Sequence, residues 1–569
     1  MSSGKRHLPW VTPDIKRQMR KRDKLHCRAR KQQNSTSWKL FRQYRNKVAS
    51  RVHSAHEDYV NNVVGNSLSE SPKKFWSYVK MMRTENLGIP TLRTTTKLCT
   101  TDQEKATALN SHFQSVFTQE TDTCSIPQKG ISPYPSISEL IIGVEGVEKQ
   151  LSSLNPTKAC GPDEIPPRLL KTVAPELAPA LCFLFQQSYD TGVVPSQWKQ
   201  ALVTDFSKAF DKVPHLRLSA KLEFYGIRGS TLTWINSFLN NRSQAVSVNG
   251  THSPWGKVTS GVPQGSVLGP ALFLLYINDI QEEISSSMRL FADDSIVYRD
   301  IVSPDDHQVL QKDLNELANW SSKWLMHFNV GKCAILPITN KRKTSLFDYT
   351  ILGQPLARVD QHEYLGVTIS SKLRWDAHCN KITQKANRTL GLIRRTLSPC
   401  SQEVKARAYQ ALVRPQIEYA SEAWNPHTIT TVDRLERVQR PAARFVFRDY
   451  RRTTSVSALI NTLGWDSLHN RRLAAQLSMF YKIHYGLVNI QFPTIIQPAT
   501  YFSRHDHQLK FKLPEATIDS YKFSFYPRTV RLWNHLPTPA VLAPSLPAFQ
   551  EVSLPAIQQM RLPVGAKLL

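Results

Sequence analysis

Two adjacent acids, Asp293 and Asp294, interrupt an apolar stretch in the segment MRLFADDSIVY at residues 288–298. The apolar residues on either side predict a strand, a tight turn and a second strand. Aspartate is a common turn residue because its side chain hydrogen-bonds to the nearby backbone, so the pair could serve the turn alone. Two carboxylates at a hairpin tip could also bind a divalent metal ion, since Mg²⁺ prefers oxygen ligands.

A third acid, Asp205, follows the short predicted strand ALVT at residues 201–204. Aspartate is among the best residues at a helix N-cap, so a structural role is open here as well. Asp211 lies six residues further along. That spacing puts it on a different face of a helix, and we do not expect it to share a metal ion with Asp205.

A glycine-containing loop, SGVPQGSVLGP, occupies residues 260–270 and leads into an apolar helix. Gly261 and Gly265 permit close approach of the backbone to a ligand, and Gln264 carries one donor group and one acceptor group. The loop does not match the phosphate-binding pattern GxxxxGK or the pattern GxGxxG. An ordinary strand-to-helix turn is the alternative interpretation.

The three acids together predict a chemical site. Carboxylates that lie close together repel one another and raise each other's pKa unless cations lie between them. Two Mg²⁺ or Mn²⁺ ions about 3.5–4 Å apart can bind the attacking and leaving oxygens of a phosphoryl displacement. We therefore predict Asp205, Asp293 and Asp294 as catalytic residues and ligands of two metal ions.

Composition indicates the class of partner. The chain has 569 residues, a formal net charge of +28 and a pI near 9.8. Such a surplus of cations favours polyanions as partners, with nucleic acid ahead of an anionic membrane.

No apolar run approaches the ~20 residues of a membrane-spanning helix, and the N-terminus lacks the apolar stretch of a secretory signal. The eight cysteines have no CxxC pair. We expect reduced thiols in an intracellular protein of the nucleus and/or cytoplasm.

The elements that must position these residues follow from periodicity. Residues 1–51 hold 16 Lys or Arg and two Asp, and predict one or two basic helices. This segment could be a nucleic-acid contact, a solvated arm or a nuclear-import signal. Helices punctuated by proline are predicted from residue 138 to Gly192, and further helix is predicted to about residue 240. A buried helix is predicted at 271–279 and an amphipathic helix at 308–328. Residues 341–370 are predicted to be strand-like, and the following residues to about 490 are predicted to be mostly helical. The Pro-rich remainder is predicted to be loosely ordered.

Several motifs in order resemble the reverse transcriptases of non-LTR (LINE-type) retrotransposons, closest to the Jockey-like group. They are DFSKAFDKVPH, SGVPQGSVLGPALFLLYINDI, FADDSIVY, NWSSKWLMHFNVGKC, EYLGVTIS, LVRPQIEYASEAW, LERVQRPAARF, LGWDSL and YPRTVRLWNHLP. The likeness covers most of residues 138–550. It implies an α+β right-hand polymerase with a palm, truncated fingers and a helical thumb.

The resemblance also assigns roles to single residues. Asp205, Asp293 and Asp294 match the metal-binding acids, and Phe210 matches the bulky residue that would clash with a ribose 2′-hydroxyl. Gln264 and Gly265 match the loop along template and incoming nucleotide. Lys332 matches a lysine proposed to assist the leaving pyrophosphate, and residues 364–367 match the hairpin that grips the primer.

The sequence departs from the family in three places. Residues 198–201 run almost directly into Asp205, whereas the family has roughly a hundred residues of fingers there, including an NYRPISL-type motif. The chain begins in what resembles the basic connector that follows the family's endonuclease, so we expect no endonuclease. Pro441 stands where the family usually has arginine, and it predicts a kink or break near residue 440.

We therefore predict a basic helical connector (1–117), a linker (118–137), a helical remnant preceding the fingers (138–200), a palm (201–340), a primer-grip hairpin with a helical thumb (341–490) and a Pro-rich tail (491–569). The predicted function is RNA-directed DNA polymerase. Whether the protein retains this activity depends on the effect of the lost fingers. The expected partners are an RNA template, a DNA primer and deoxynucleoside triphosphates, without a membrane. The alternatives are a non-catalytic nucleic-acid-binding remnant and a helical interaction protein. The oligomeric state does not follow from the sequence.

Overall fold

The computed structural model describes residues 9–61, 75, 76, 78, 89–94, 97–120, 126–156, 165–203, 210–341, 347–504 and 506–559. The chain divides into two compact units. The first unit consists of Met1–Glu85, Leu336–Thr344 and Arg358–Leu569, and the second unit consists of Asn86–Ile335 and Ser345–Ala357. The hairpin with the paired acids and the glycine-containing loop belong to the second unit.

Helices dominate the described residues. The α-helices are α1 (Pro13–Gln32), α2 (Ser35–Asp58), α3 (Asp102–Gln114), α4 (Val144–Ser153), α5 (Pro167–Thr172), α6 (Ala174–Asp190), α7 (His215–Phe224), α8 (Gly229–Leu239), α9 (Leu268–Ile277), α10 (Pro304–Lys323), α11 (Asp376–Thr396), α12 (Gln402–Ala408), α13 (Arg414–Glu418), α14 (Ser421–Trp424), α15 (Ile429–Phe447), α16 (Val456–Thr462), α17 (Leu468–His484), α18 (Asp519–Lys522), α19 (Phe525–Asn534), α20 (Thr538–Val541) and α21 (Leu546–Gln559).

The strands are short. They are β1 (Leu92–Arg93), β2 (Leu98–Cys99), β3 (Gln200–Val203), β4 (Arg242–Val248), β5 (Thr251–His252), β6 (Gly256–Val258), β7 (Ser287–Phe291), β8 (Asp294–Tyr298), β9 (Ala334–Ile335), β10 (Thr350–Ile351), β11 (Gln354–Pro355), β12 (Ala357–Arg358), β13 (Gln361–Tyr364) and β14 (Val367–Ser370).

The second unit is built around β4. This strand pairs in parallel with β3, with Val203 opposite Val246, and antiparallel with β5 and β6. Helix α3 covers the strand because Ala106 and Phe113 pack against the side chains of Val246 and Val248. Helices α7 and α8 connect β3 to β4, as a parallel pair requires a long crossover.

Helix α9 forms the centre of the larger core of the second unit. Its residues are apolar on all faces, which is typical of a buried helix. Leu272, Phe273 and Tyr276 pack against α7, α8 and Trp324. The predicted helix is thereby confirmed, but only one of its faces is buried, since Leu274 is 54% exposed. Helix α10 also forms as predicted but ends at Lys323, and Leu325 has a left-handed φ of +52°.

The predicted linker at 118–137 contains no helix or strand in its described part. It is nevertheless fixed to the second unit. The N–H of Thr118 donates to Ser260 Oγ at 2.8 Å, and the N–H of Ile137 donates to the carbonyl of Gly226 at 2.9 Å. Lys129 Nζ lies 2.7 Å from Asp279 Oδ2. This segment therefore packs along the unit instead of spanning open solvent.

The first unit is mostly helical around α11 and α15. Of the predicted kink or break near residue 440, the break is wrong, because α15 continues from Ile429 to Phe447 with Pro441 inside it, while the kink stays a prediction. Proline removes one helical hydrogen bond and clashes with the preceding turn. The flanking residues Val438, Ala442 and Phe445 are buried in the core. We infer that this packing maintains the helix.

The Pro-rich C-terminal part was expected to be loosely ordered, and this expectation is wrong for residues 519–559, which contain four helices. Helices α19 and α21 pack onto α17 around a second core of the first unit. Trp533 and Phe549 are fully buried there. Burying two large aromatic side chains stabilises a fold strongly, and it outweighs the local effect of the prolines.

The basic N-terminus forms helices as predicted, α1 and α2, which pack against each other. The unit boundary falls at residues 85 and 86. Residues 86–117 therefore group with the second unit, because α3 packs on β4, and not with the basic helices. None of the helices in the described part is long and apolar enough to cross a membrane. The six described cysteines are free thiols.

Candidate active site

The hairpin of β7 and β8 presents both acids at its tip. Phe291 pairs with Asp294, so Ala292 and Asp293 form a two-residue turn. Ala292 has φ +52°, a left-handed conformation that is uncommon for a residue other than glycine. Met288 and Val297 pair with each other and pack into a small core. Because side chains alternate along a strand, Asp294 lies on the opposite face of the hairpin.

Both carboxylates are available for a ligand. Asp293 and Asp294 are exposed, and neither has a hydrogen bond or an ion pair with another described side chain. Adjacent exposed oxygen donors without an internal partner fit a hard divalent cation. Asp205 lies outside the described residues, so the predicted group of three acids stays a prediction. The described residues contain no cluster of three His, Cys, Asp or Glu that could hold a metal ion.

The glycine-containing loop is bonded to the segment that follows Asp205. The N–H of Val262 donates to the carbonyl of Phe210, and the N–H of Gly261 donates to the carbonyl of Val213, both at 2.8 Å. Ser260 Oγ donates to the carbonyl of Asp211 at 2.7 Å. The structure therefore brings together two motifs that lie some fifty residues apart in the chain.

Gly261 is required by this contact. Its φ is +92°, and a Cβ atom at this position would lie 2.6 Å from the Cα of Asp211. No side chain fits such a gap without movement of the backbone. Gly265 has a φ of +89° but open space around it, and Gln264 beside it is exposed. The tip of the loop is thus free to contact a ligand while its base is fixed.

Phe210 begins a short 3₁₀ helix, Phe210–Lys212, and packs partly into the core. Its ring lies against Phe273 with a centroid distance of 4.6 Å. Asp211, next to it, is half-buried, and burial raises the pKa of its carboxyl group. Lys332 ends another 3₁₀ helix, Val330–Lys332, and is exposed. It makes no described contact with the acids or the loop.

A buried lysine in the core of the second unit was missed by the sequence analysis. Lys221 Nζ donates to Asp279 Oδ1 and to the carbonyl of Tyr276, both at 2.6 Å. It also lies over the rings of Tyr276, Trp320 and Trp324. Burial lowers the pKa of Lys221 to about 7, although Asp279 opposes this shift. The residues fix α7 to α9 and α10, which flank the loop.

The predicted primer-grip hairpin belongs to the first unit. Strands β13 and β14 pair with Tyr364 opposite Val367, so Leu365 and Gly366 form the turn. Both turn residues have positive φ, +46° and +80°, as in the two-residue turns that suit hairpins. Tyr419 Oη donates to the carbonyl of Leu365 at 3.2 Å. The predicted hairpin is confirmed, while its role stays a prediction.

Comparison with protein families gives a match at the site itself. Residues 171–369 match the family "Reverse transcriptase (RNA-dependent DNA polymerase)". This range contains the hairpin, the glycine-containing loop and Phe210. Over this range the chain is similar to reverse transcriptases. Residues 11–73 match a second family, "Female sterile protein K10 C-terminal domain".

Relatives of the reverse transcriptase domain come from insect transposable elements. The "Probable RNA-directed DNA polymerase from transposon X-element" of Drosophila melanogaster is 27% identical over 265 residues, which cover 44% of this chain and 28% of the relative. The "RNA-directed DNA polymerase from mobile element jockey" of Drosophila funebris is 26% identical over 253 residues, covering 42% of this chain and 27% of the relative. The chain thus spans under a third of the length of these relatives.

Proposed function

We propose that this protein is an RNA-directed DNA polymerase of a non-LTR retrotransposon. The observation that carries the proposal is the pair of exposed, unbonded carboxylates of Asp293 and Asp294 on a hairpin within the reverse transcriptase domain. The proposed substrates are an RNA template, a DNA primer and deoxynucleoside triphosphates. The proposed location is the nucleus and/or the cytoplasm.

The proposed reaction is nucleotidyl transfer. The primer 3′-oxygen forms a bond to the α-phosphorus, the bond from that phosphorus to the bridging oxygen of the β-phosphate breaks, and pyrophosphate and the hydroxyl proton leave. Asp205, Asp293 and Asp294 would hold two Mg²⁺ or Mn²⁺ ions, which when bound neutralise charge on the attacking and leaving oxygens. The two described acids have oxygen donors free for this purpose.

Other residues would position the substrates. Phe210 is supported as the residue that excludes a ribose 2′-hydroxyl, because its backbone is bonded to the base of the loop and its ring is fixed by Phe273. Gln264 and Gly265 at the exposed tip of that loop would contact the template and the incoming nucleotide. Lys332, exposed and cationic, would contact the pyrophosphate.

We further propose that the fingers are shortened. Helices α4, α5 and α6, which precede β3, have a small shared core of Val147, Leu151, Ala174 and Ala178. Large apolar side chains remain exposed around it, among them Ile141 at 92% and Phe183 at 68%. Such an apolar surface is typical of one that another segment covers. Catalysis of phosphoryl transfer depends mainly on positioning, so lost fingers would lower the rate.

The second candidate is a nucleic-acid-binding protein without catalytic activity. The exposed apolar surface of α4–α6 favours it, since the surface indicates a missing part of the polymerase. The basic helices α1 and α2 would supply the binding in either case. Binding alone therefore does not separate the two candidates, whereas DNA synthesis does.

Primer extension tests the proposal. The full chain would be incubated with an annealed RNA template and DNA primer, Mg²⁺ and deoxynucleotides. We expect extension by the wild type and none by Asp293→Asn/Asp294→Asn. The matched control is Asp300→Asn/Asp305→Asn, which removes two exposed acids just beyond the hairpin and should leave extension unchanged. A wild type that binds the template but does not extend the primer would support the second candidate.

A further inference from the structure

A cavity in the first unit lies outside the reverse transcriptase match. It has a volume of about 510 Å³ and is lined by residues that include Arg394, Arg395, Ser398, Phe445, Arg448 and Tyr450. We call these six residues the arginine–tyrosine pocket. Its volume falls within the ~300–1,000 Å³ of small-ligand sites. We propose that this pocket binds one unpaired nucleotide of a nucleic-acid strand.

The charge of the pocket favours an anion. Three guanidinium groups line it, and no carboxylate does. Asp449 lies between Arg448 and Tyr450 in the chain, but its carboxylate pairs with Arg451 at 2.7 Å and accepts a hydrogen bond from Thr454 at 2.8 Å. Lys405 is buried behind the floor, with Nζ 5.3 Å from the ring centroid of Phe445. Among the described residues, none of these three guanidinium groups forms an ion pair with a carboxylate.

The ends of two helices could explain the arginines instead. Arg394 and Arg395 lie in the last turn of α11, and Arg448 is the C-cap of α15. Each helix end carries about half a negative charge, so the two ends offset roughly one positive charge of three. Arg448 also donates to the carbonyl of Ser398. About two charges remain for an external anion such as a phosphate, to which arginine binds well.

The aromatic residues indicate that the ligand also has a base. Tyr450 is 54% accessible to solvent at the rim, while Phe445 forms a buried apolar floor. The guanidinium carbon of Arg394 lies 5.5 Å from the centroid of the Tyr450 ring. Unpaired bases stack on exposed aromatic rings and on guanidinium planes. A duplex cannot use this surface, because the faces of its bases are covered by their neighbours.

The surroundings provide a path for the rest of a strand. The loop after α11 carries Ser398, and the N–H of Ser401 in the same loop donates to Asn61 Oδ1 at 3.2 Å. Asn61 follows the end of α2, so the C-terminal end of this helix lies near the loop that carries Ser398. A strand whose base occupies the pocket can thus continue towards α2. That the strand is the template RNA rests on the proposed function.

Binding of a five-nucleotide, fluorescein-labelled oligouridine to the full chain tests the pocket. We expect Tyr450→Ala to weaken binding roughly 5- to 150-fold, as for other stacked bases, and Tyr450→Phe to preserve it. Arg394→Ala/Arg395→Ala should lower the slope of log affinity against log salt by about 1.4. The matched control, Lys385→Ala/Arg388→Ala, removes two exposed cations from the same helix and should not affect stacking.

Two readouts make the test decisive. An oligonucleotide carrying 2-aminopurine should be quenched on binding to the wild type and not to Tyr450→Ala. A blunt RNA duplex should bind wild type and Tyr450→Ala equally. Unchanged oligouridine binding by Tyr450→Ala, or an equal loss for strand and duplex, would overturn the proposal. Oligouridine binding is measured without a primer and without deoxynucleotides, so a failure of polymerase activity leaves this test independent.

Discussion

Lys221 Nζ and Asp279 Oδ1 lie 2.6 Å apart in the core of the second unit, 58 positions from each other in the chain. Three aromatic rings surround the ammonium group, and a second cation, Lys129, contacts the other carboxylate oxygen of Asp279 at 2.7 Å. Trp320 Nε1 donates to Oδ1 at 3.1 Å. Both oxygens of the Asp279 carboxylate therefore have partners and Lys221 donates two hydrogen bonds, which offsets part of the cost of burying the ion pair.

Lys221→Met should destabilise the second unit by about 3–5 kcal/mol, because it leaves a buried carboxylate without its main partner. Hydrogen exchange of peptides covering 215–224 measures this loss of protection locally. Lys129→Met, which removes the partner nearer to solvent, should cost less. Equal protection in Lys221→Met and the wild type would show that the pair does not stabilise the unit.

Gly261→Ala should be more damaging than Gly265→Ala, although both glycines have a φ near +90°. Alanine at either site carries the ~1–2 kcal/mol cost of a left-handed backbone. At 261 the new Cβ would also meet the backbone of Asp211, which adds about 1–3 kcal/mol of overpacking. Urea unfolding of the two variants measures the difference. Similar midpoints would contradict the tight contact.

The first unit should lose stability in mild acid. Burial lowers the pKa of His378 and of His469 to about 4 each. Between pH 6.5 and about 4 the unfolded chain therefore binds protons that the folded unit does not, and the free energy of unfolding falls as the pH falls. Burial raises the pKa of Glu436, which acts in the opposite sense just above its ordinary value.

A double variant, His378→Gln/His469→Gln, isolates the histidine contribution. Thermal unfolding of the wild type and the variant would be compared at pH 7, 6, 5 and 4.5. We expect a steeper fall for the wild type, since Glu436 is common to both. Parallel curves would show that these two histidines do not titrate with unfolding.

Pro441→Ala should stabilise the first unit. Alanine restores the N–H that can donate to the carbonyl of Arg437 and removes a clash worth ~3 kcal/mol, of which up to about 1 kcal/mol is offset by the greater entropy of the unfolded chain. Pro13→Ala is the matched control, because a proline in the first turn of a helix replaces no hydrogen bond. A melting temperature that rises for Pro441→Ala alone is the expected result.

Local patterns predicted the parts of the fold that depend on local physics. Alternating apolar residues around Asp293 and Asp294 gave the hairpin, and the apolar run after Gly269 gave helix α9. The strand before Asp205 was also found. In each case the apolar residues of a short stretch of sequence are sufficient to predict the element.

Long-range contacts account for what the sequence did not reveal. Lys221 lies in an ordinary-looking helix, and its partner Asp279 is remote in the chain, so no spacing rule connects them. Residues 126–137 read as a linker because they lack periodicity, yet they are held by single bonds such as that of Ile137 to Gly226. The prolines of the C-terminal part concealed a core formed by Trp533 and Phe549. Composition indicates how freely the backbone of a segment can move locally, whereas packing determines the conformation of these segments.

The hydrogen bonds that the N–H groups of Gly261 and Val262 donate to the segment from Phe210 to Val213 join main-chain atoms. Substitution of most side chains there leaves these bonds intact, and Gly261 is the position where a side chain would break them. In a lineage of copies that drifts without selection for synthesis, this geometry should outlast the chemistry. Selection for folding alone would slow substitution at Gly261, whereas selection for activity would slow substitution at the exposed residues Asp293, Asp294 and Gln264. Comparing the rates of substitution at these two kinds of position among related copies would show whether the proposed activity has been under selection.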